Sequence, residues 1–350
     1  MKNMDLNSNC TSKLSVCYAS SNEYAPYTGV SILSLLENNA GIVNKVYLLS
    51  FGIREENIHK IESIVKKYKC EFVVVNALDK MSKLFAEIGL ATFEGSYATY
   101  ARAFISELIE DCNDKLLYID SDTVVDGDLS ELVNVNMSNP EKAYAAVIGM
   151  NQYTLLSKEI ELANGNKTYY ACGVIMFNLQ VWKSKCCTEM ITDYIRKNNE
   201  NFIYADQTVI NNVIPENLAM PLHIKYNYWG HMFRGARISY ELSRGDFYSK
   251  EVIKEAKEKP VIIHYKGLIV HPWLKGNMSS LSDRYQYYKK MSPWKDDVEF
   301  SIYYDEVKGE ETKEQKKMMK QCRQYLRMPV LGMKTIDVLR ILKRKIVGEK

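Results

Sequence analysis

The chain has 350 residues, 46% hydrophobic and 25% charged, with a formal net charge of +3. That is the make-up of a soluble globular protein, long enough for one large α/β domain or a domain with a sizeable appendage. No apolar run of about 18 residues exists to span a bilayer, and the N-terminal MKNMDLNSNCTSKL has no apolar secretory core. Eight scattered cysteines without a CxxC pair point to reduced, buried thiols rather than a disulfide framework or zinc knuckle.

In chain order, Leu14–Ala19 (LSVCYA) reads as a core strand, followed by the polar loop Ser20–Glu23. Residues 27–38 (YTGVSILSLLEN) have helical apolar spacing, with Val30, Leu33 and Leu36 on one face. Lys45–Phe51 is a strand, Arg54–Tyr68 a charged amphipathic helix and Glu71–Val75 a third strand. This alternation predicts a mostly parallel sheet with right-handed crossovers. Tyr97–Ile109 reads as a helix feeding the strand Leu116–Ile119. Ala143–Ile148 and Tyr170–Leu179 read as strands, Trp182–Lys197 and Ala205–Ile214 as helices, and Pro260–Tyr265 as a late strand ending near His264.

The stretch LLYIDSDTVVDGDL, Leu116–Leu129, carries the first candidate chemistry. Positions i and i+2 of extended chain project to one side, so Asp120 and Asp122 can share a cleft. Two close carboxylates repel unless a cation sits between them, and all-oxygen ligation suits a hard divalent ion such as Mg²⁺ or Mn²⁺. An isolated D-x-D more often caps or solvates a turn. Asp126-Gly127 reads as a turn and Asp128 as a helix cap.

His264 opens HYKGLIVHPW. A lone histidine at a strand end is commonly an ordinary surface or core residue. As a third ligand, its imidazole would favour Mn²⁺ over Mg²⁺. Lys266 and His271 could face phosphate, and Gly267 allows close backbone approach. Asp206-Gln207, at a helix start, is either an N-cap pair or a pair gripping sugar hydroxyls. The loop Ser20–Glu23, Asp120, Asp122 and His264 all fall at carboxyl ends of strands, where open α/β sheets bind ligands.

Taken in order, YASSNEYAPYTGVSILSLLENN, TYARAFI, LLYIDSDTVVDGDLSEL, YYACGVIMFNLQVW, ADQTVIN and HYKGLIVHPW resemble the retaining glycosyltransferases of family 8. The pattern is most similar to the bacterial lipopolysaccharide galactosyl- and glucosyltransferases of that family. The likeness covers roughly Leu14–Trp273. It implies a GT-A fold, Rossmann-like, with nucleotide-sugar and acceptor halves merged over residues 1–275. It implies a UDP-sugar donor, glucose or galactose, a carbohydrate or glycolipid acceptor such as a lipopolysaccharide or capsule precursor, and Mn²⁺ with Mg²⁺ as the alternative. By motif position Asp120, Asp122 and His264 are implied metal ligands. Ala19 and the following loop, with Ser21 and Glu23, are implied to hold the uridine. Arg102 is expected on the nucleotide or donor sugar, Asp120 and Ser121 on the donor, and Gly267 against the diphosphate. Asp206 and Gln207 are implied to face the reacting sugar.

Several positions depart from the pattern. Ser21 and Glu23 stand where acids or amides are usual. Ala171 replaces a common Asn. The late motif ends His271-Pro272-Trp273 rather than Lys-Pro-Trp, exchanging a permanent cation for a titrating one unless Lys266 or Lys275 substitutes. A non-catalytic relative binding nucleotide sugar remains an alternative. So does a sugar nucleotidylyltransferase, although the Ser20–Glu23 loop has neither the Gly nor the Lys such an enzyme needs.

The C-terminus adds charge asymmetry. From Lys308 to Lys350 there are 13 Lys/Arg against 5 Asp/Glu. Residues 310–350 are expected to be helical, and 330–347 to form a basic amphipathic helix suited to an anionic membrane surface. A helix packed on its own domain is the alternative. The expected arrangement is a transferase domain over 1–275 and a helical basic segment over 276–350. The expected location is cytoplasmic, peripheral on the inner face of the plasma membrane. The acidic body and the lack of a nucleic-acid motif speak against nucleic acid.

Overall fold

The computed structural model describes residues 13–93, 95–112, 115–138, 140–149, 168–198, 202, 205–229, 248–267 and 270–302, with short stretches as far as residue 320. β1 (Leu14–Ser21) is buried almost throughout, so it can only be a central strand. α1 (Ala25–Asn39), β2 (Val43–Phe51), α2 (Glu55–Lys67) and β3 (Glu71–Asn76) follow as the alternation predicts. α2 carries Glu55 and Glu56 in its first turn and Lys66 and Lys67 in its last, which matches the helix dipole, and buries Ile61, Ile64 and Val65. α3 (Ala77–Glu87), not anticipated above, buries Ala77, Met81 and Phe85 at four-residue spacing.

β4 (Lys115–Ile119) joins β1, after which β5 (Thr123–Val125) leaves for a second sheet and the short α5 (Ser130–Val133) follows. β6 (Tyr144–Ile148), β7 (Tyr170–Asn178) and β8 (Ala219–Leu222) complete the main sheet, in the order β3-β2-β1-β4-β7-β6-β8. The first four strands of that order are mutually parallel. β7 is antiparallel to both neighbours, and β8 is parallel to β6. β9 (Tyr228–Trp229) and β10 (Ile262–His264) join β5 in a three-stranded sheet ordered β5-β10-β9.

Several sequence expectations need correction. Tyr97–Ile109 is not one α-helix: Ala98–Phe104 winds as a tighter 3-10 helix before the short α4 (Ile105–Leu108). The tight winding buries Tyr100 to Phe104 in succession, so Arg102 enters the core. Trp182–Lys197 is two helices, α6 (Leu179–Ser184) and α7 (Cys187–Asn198), broken at Cys186, whose φ of 54° is left-handed. Leu179 belongs to α6 and not to the strand before it, because Asn178 accepts the Val181 N–H and caps the helix. Glu310–Glu311 pairs with Tyr304–Asp305 as a small antiparallel ladder instead of opening a helix. The amphipathic stretch 330–347 lies outside the described residues.

The helix Ser282–Met291 and the residues after it pack back onto the body. A Cβ at Gly29 of α1 would lie 2.1 Å from the Trp294 ring, so glycine is what admits that indole. Tyr288 donates to Asp126 at 3.0 Å and accepts from Asn38 at 2.7 Å. No described helix is long and apolar enough to cross a membrane. The six described cysteines are free.

Candidate active site

Asp120 and Asp122 do not project from one extended strand. They sit in the turn between β4 and β5, with the Asp120 N–H donating to the Gly173 carbonyl at 2.8 Å and the Thr123 hydroxyl to the Asp120 carbonyl at 2.8 Å. Convergence comes from the second sheet. β5 pairs antiparallel with β10, setting His264 opposite Thr123, and the Tyr265 N–H closes on the Asp122 carbonyl at 2.9 Å. His264 Nε2 therefore stands 3.1 Å from Asp122 Oδ1 and 3.9 Å from Asp120 Oδ2.

These three residues form the one group of at least three potential metal ligands found among the described residues, their donor atoms all within 4.8 Å of one another. Neighbouring oxygens around a Mg²⁺-sized ion lie about 3 Å apart, so the spacing fits a single cation. Two carboxylates and an imidazole suit Mn²⁺ or Mg²⁺ better than a thiophilic metal. The cradle also depends on backbone. A Cβ at Gly173 would lie 2.3 Å from His264 Cε1 and 2.9 Å from Asp120 Oδ2. Burial raises the Asp122 carboxyl, but the facing His264 outweighs it, and the net result is a pKa far below the usual carboxylate range.

Arg102 is the hub beside this cluster. One guanidinium nitrogen donates to Asp120 Oδ1 and to the Cys172 carbonyl, each at 2.7 Å. Its Nε and other terminal nitrogen clasp both oxygens of Asp206, the latter at 3.1 Å from Oδ1. Arg102 thus occupies one oxygen of Asp120 and leaves Oδ2 toward His264. Asp206 is fully buried, and burial raises its pKa to about 6 despite the opposing pull of Arg102. Gln207, next along α8 (Ala205–Val213), accepts the Cys172 N–H at 3.0 Å and donates to the Tyr169 hydroxyl at 3.1 Å.

The other residues expected on the donor have varied surroundings. Ala19 is buried at the end of β1, and its carbonyl accepts the Ser121 hydroxyl at 3.1 Å. Ser121 also lies 2.8 Å from Thr28 Oγ1, which in turn lies 2.8 Å from Ser20 Oγ. The Ser121 hydroxyl is thereby tied to β1 and α1. Ser21 is half-buried and Glu23 exposed, while Asn22 between them anchors the loop by accepting the Arg54 N–H at 3.0 Å. Gly267 has a φ of 111°, a conformation L side chains rarely adopt. Lys266 stands 5.4 Å above the Trp229 ring. His271 stacks on Trp273 at 4.4 Å, and Trp273 on Tyr27 at 3.9 Å. Burial, against the pull of Asp122, lowers the His271 pKa to about 4, so this imidazole is neutral at pH 7.

The model of the family described as Glycosyl transferase family 8 matches residues 15–277. The chain belongs to glycosyltransferase family 8. Among its curated relatives in this family, a lipopolysaccharide 1,2-glucosyltransferase of Escherichia coli K12 is 27% identical, covering 83% of this chain and 82% of its own. A lipopolysaccharide 1,3-galactosyltransferase of Salmonella typhimurium is 25% identical, covering 81% and 79%. Of solved structures, the galactosyltransferase LgtC in complex with donor and acceptor sugar analogs aligns at a TM-score of 0.64 with 19% identity. It covers 80% of this chain and 96% of its own. The bifunctional glycosyltransferase WbbM gives the same TM-score at 22% identity, this chain spanning about half of it (51%). The GT-A fold expected from the sequence is the fold observed, a mixed α/β domain around a mostly parallel sheet.

Family membership names a chemistry class, and the tertiary structure adds residues that sequence reading missed. Gly173 had a signal, since glycine inside a strand often marks close approach by another group. Thr28, Cys172 and Tyr169 had none, because each acts through a partner far away in the chain. The same holds for Asn227, whose side-chain oxygen lies 2.9 Å from His264 Nδ1.

Proposed function

We propose that this family 8 enzyme is a metal-dependent, retaining hexosyltransferase. In this reading it moves glucose or galactose from a UDP-sugar to a glycan or glycolipid acceptor, such as a lipopolysaccharide or capsule precursor. The observation that carries the reading is the convergence of Asp120, Asp122 and His264 within 4.8 Å, directly beside the buried Arg102–Asp206 pair. Asp120, Asp122 and His264 would hold the cation, Mn²⁺ or Mg²⁺, which would neutralise charge growing on the leaving diphosphate.

The chain's own groups have distinct tasks. Arg102 fixes the direction of Asp120 and keeps Asp206 pinned. Asp206 and Gln207, tied to Arg102 and to β7, stand on the side where an electron-poor sugar carbon would lie in this reading. Both Asp206 oxygens are held by Arg102, and both polar atoms of Gln207 have protein partners. That commitment favours same-face attack, with these groups stabilising positive charge, over a covalent glycosyl–enzyme bond. Lys266 and Gly267 lie where the diphosphate would leave, with Ala19, Ser21 and Glu23 on the nucleoside side.

The transferase domain is taken as residues 1–275, and residues 276–350 as a segment whose first part packs on that domain and whose basic end would meet an anionic membrane carrying a lipid-linked acceptor. The site is tested by UDP release from a panel of UDP-sugars with Mn²⁺. Turnover on one donor, lost on chelation, is expected; turnover unaffected by chelation would overturn the metal reading. Liposome partitioning of the full chain and of a chain lacking residues 329–350 tests the tail.

A further inference from the structure

We propose that Asn227 is the positioning residue that fixes the His264 ring so that Nε2, and not Nδ1, is its ligand nitrogen. This rests on the metal reading of Asp120, Asp122 and His264. Asn227 ends the 3-10 turn Ile224–Asn227, immediately before β9, which pairs with β10. It is fully buried. Its Oδ1 lies 2.9 Å from His264 Nδ1, and its Nδ2 points at the Ala171 carbonyl at 3.5 Å.

The carbonyl of Ala171 decides the direction of the amide. Reversing the amide would set its oxygen against that carbonyl oxygen, two acceptors face to face in a buried site. The amide oxygen therefore faces the imidazole and accepts a proton that must reside on Nδ1. The remaining nitrogen, Nε2, is the one aimed at Asp122 and Asp120. On its other side the ring fills the space left by Gly173, where a Cβ would lie 2.6 Å from Nδ1 and push the ring out of place. Outer-shell partners of this kind orient a ligating histidine, and their loss commonly costs 10–100-fold in metal affinity. β7 thus contributes to the cation site without supplying a ligand, through the Ala171 carbonyl and Gly173.

The test is a Mn²⁺ titration of the full chain by electron paramagnetic resonance, with no nucleotide present. Asn227→Ala should weaken Mn²⁺ binding about 10–100-fold. Asn227→Asp, which keeps an acceptor in place, should bind at least as tightly as the wild type to within a few-fold. A purely structural Asn227 would lower both variants' melting temperatures and leave no such split. Nitrogen-15 NMR of the histidine-labelled wild type with ¹¹³Cd²⁺ requires no variant: coupling should appear at His264 Nε2, with Nδ1 keeping its proton. Equal affinity for wild type and Asn227→Ala, equal loss in both variants, or cadmium coupling to Nδ1 would overturn the proposal. A wild type that binds neither ion overturns the metal reading itself, and the role of Asn227 with it.

Discussion

Arg102 and Asp206, separated by 104 positions in the chain, meet side-on in the core, and the same guanidinium reaches Asp120. One arginine therefore couples the turn that carries the acid pair to the helix that carries Asp206-Gln207. A bidentate arginine–carboxylate pair gives directional as well as electrostatic hold, and lysine could not reproduce both links.

The pair has a pH signature. Asp206 is fully buried, and its carboxyl is raised from an ordinary value near 4 to about 6. A carboxyl with a raised folded-state pKa favours folding below its unfolded pKa, and that advantage is lost as pH climbs through the folded value. Between pH 4 and 6 the wild type should lose stability relative to Asp206→Asn, by on the order of 3 kcal/mol at most. Urea unfolding of both proteins across that range measures it. Parallel stability curves would show that Arg102 keeps Asp206 ionised throughout.

Removing Asp122 should be far more damaging to turnover than to folding. Asp122→Asn keeps the shape but takes away a charge facing His264. UDP release should fall by about 10²-fold or more, and metal-dependent UDP binding by calorimetry should vanish. Near-wild-type turnover with Mn²⁺ would remove Asp122 from the metal site.

Gly173→Ala probes the same cluster through the backbone. The new methyl would collide with the His264 ring and crowd Asp120 Oδ2. Overpacking of this kind costs about 1–3 kcal/mol, and the displaced ligands should lower Mn²⁺ affinity at least as much as an outer-shell change, about 10-fold or more. Thermal melting and a Mn²⁺ titration read the two effects separately.

His271 and Lys266 should behave oppositely. With its pKa lowered to about 4, His271 carries no charge near pH 7, and kcat/KM should show no inflection from it between pH 6 and 8. His271→Lys should lower the KM for a UDP-sugar. Lys266→Met, which keeps the length and removes the charge, should raise that KM by about 10-fold, as expected for a lost charged hydrogen bond. If His271→Ala raises KM more than Lys266→Met does, the diphosphate cation has been misassigned.

Local pattern alone determined much of this protein. The alternation from Leu14 to Asn76, the acid pair at the end of a buried strand and His264 at the end of another are short-range features, set by side-chain periodicity and by strand ends. Six motifs in order carried the family and the GT-A fold. Local pattern misjudged the 3-10 winding around Arg102 and the break at Cys186, where packing overrides helical spacing. Only the tertiary structure decided which groups meet: Asp206 with Arg102, Asn227 with His264, Gly173 beneath the imidazole, Trp294 against Gly29. These contacts join residues tens to hundreds of positions apart, and their geometry comes from strand register and core packing, neither of which leaves a periodic trace in the chain.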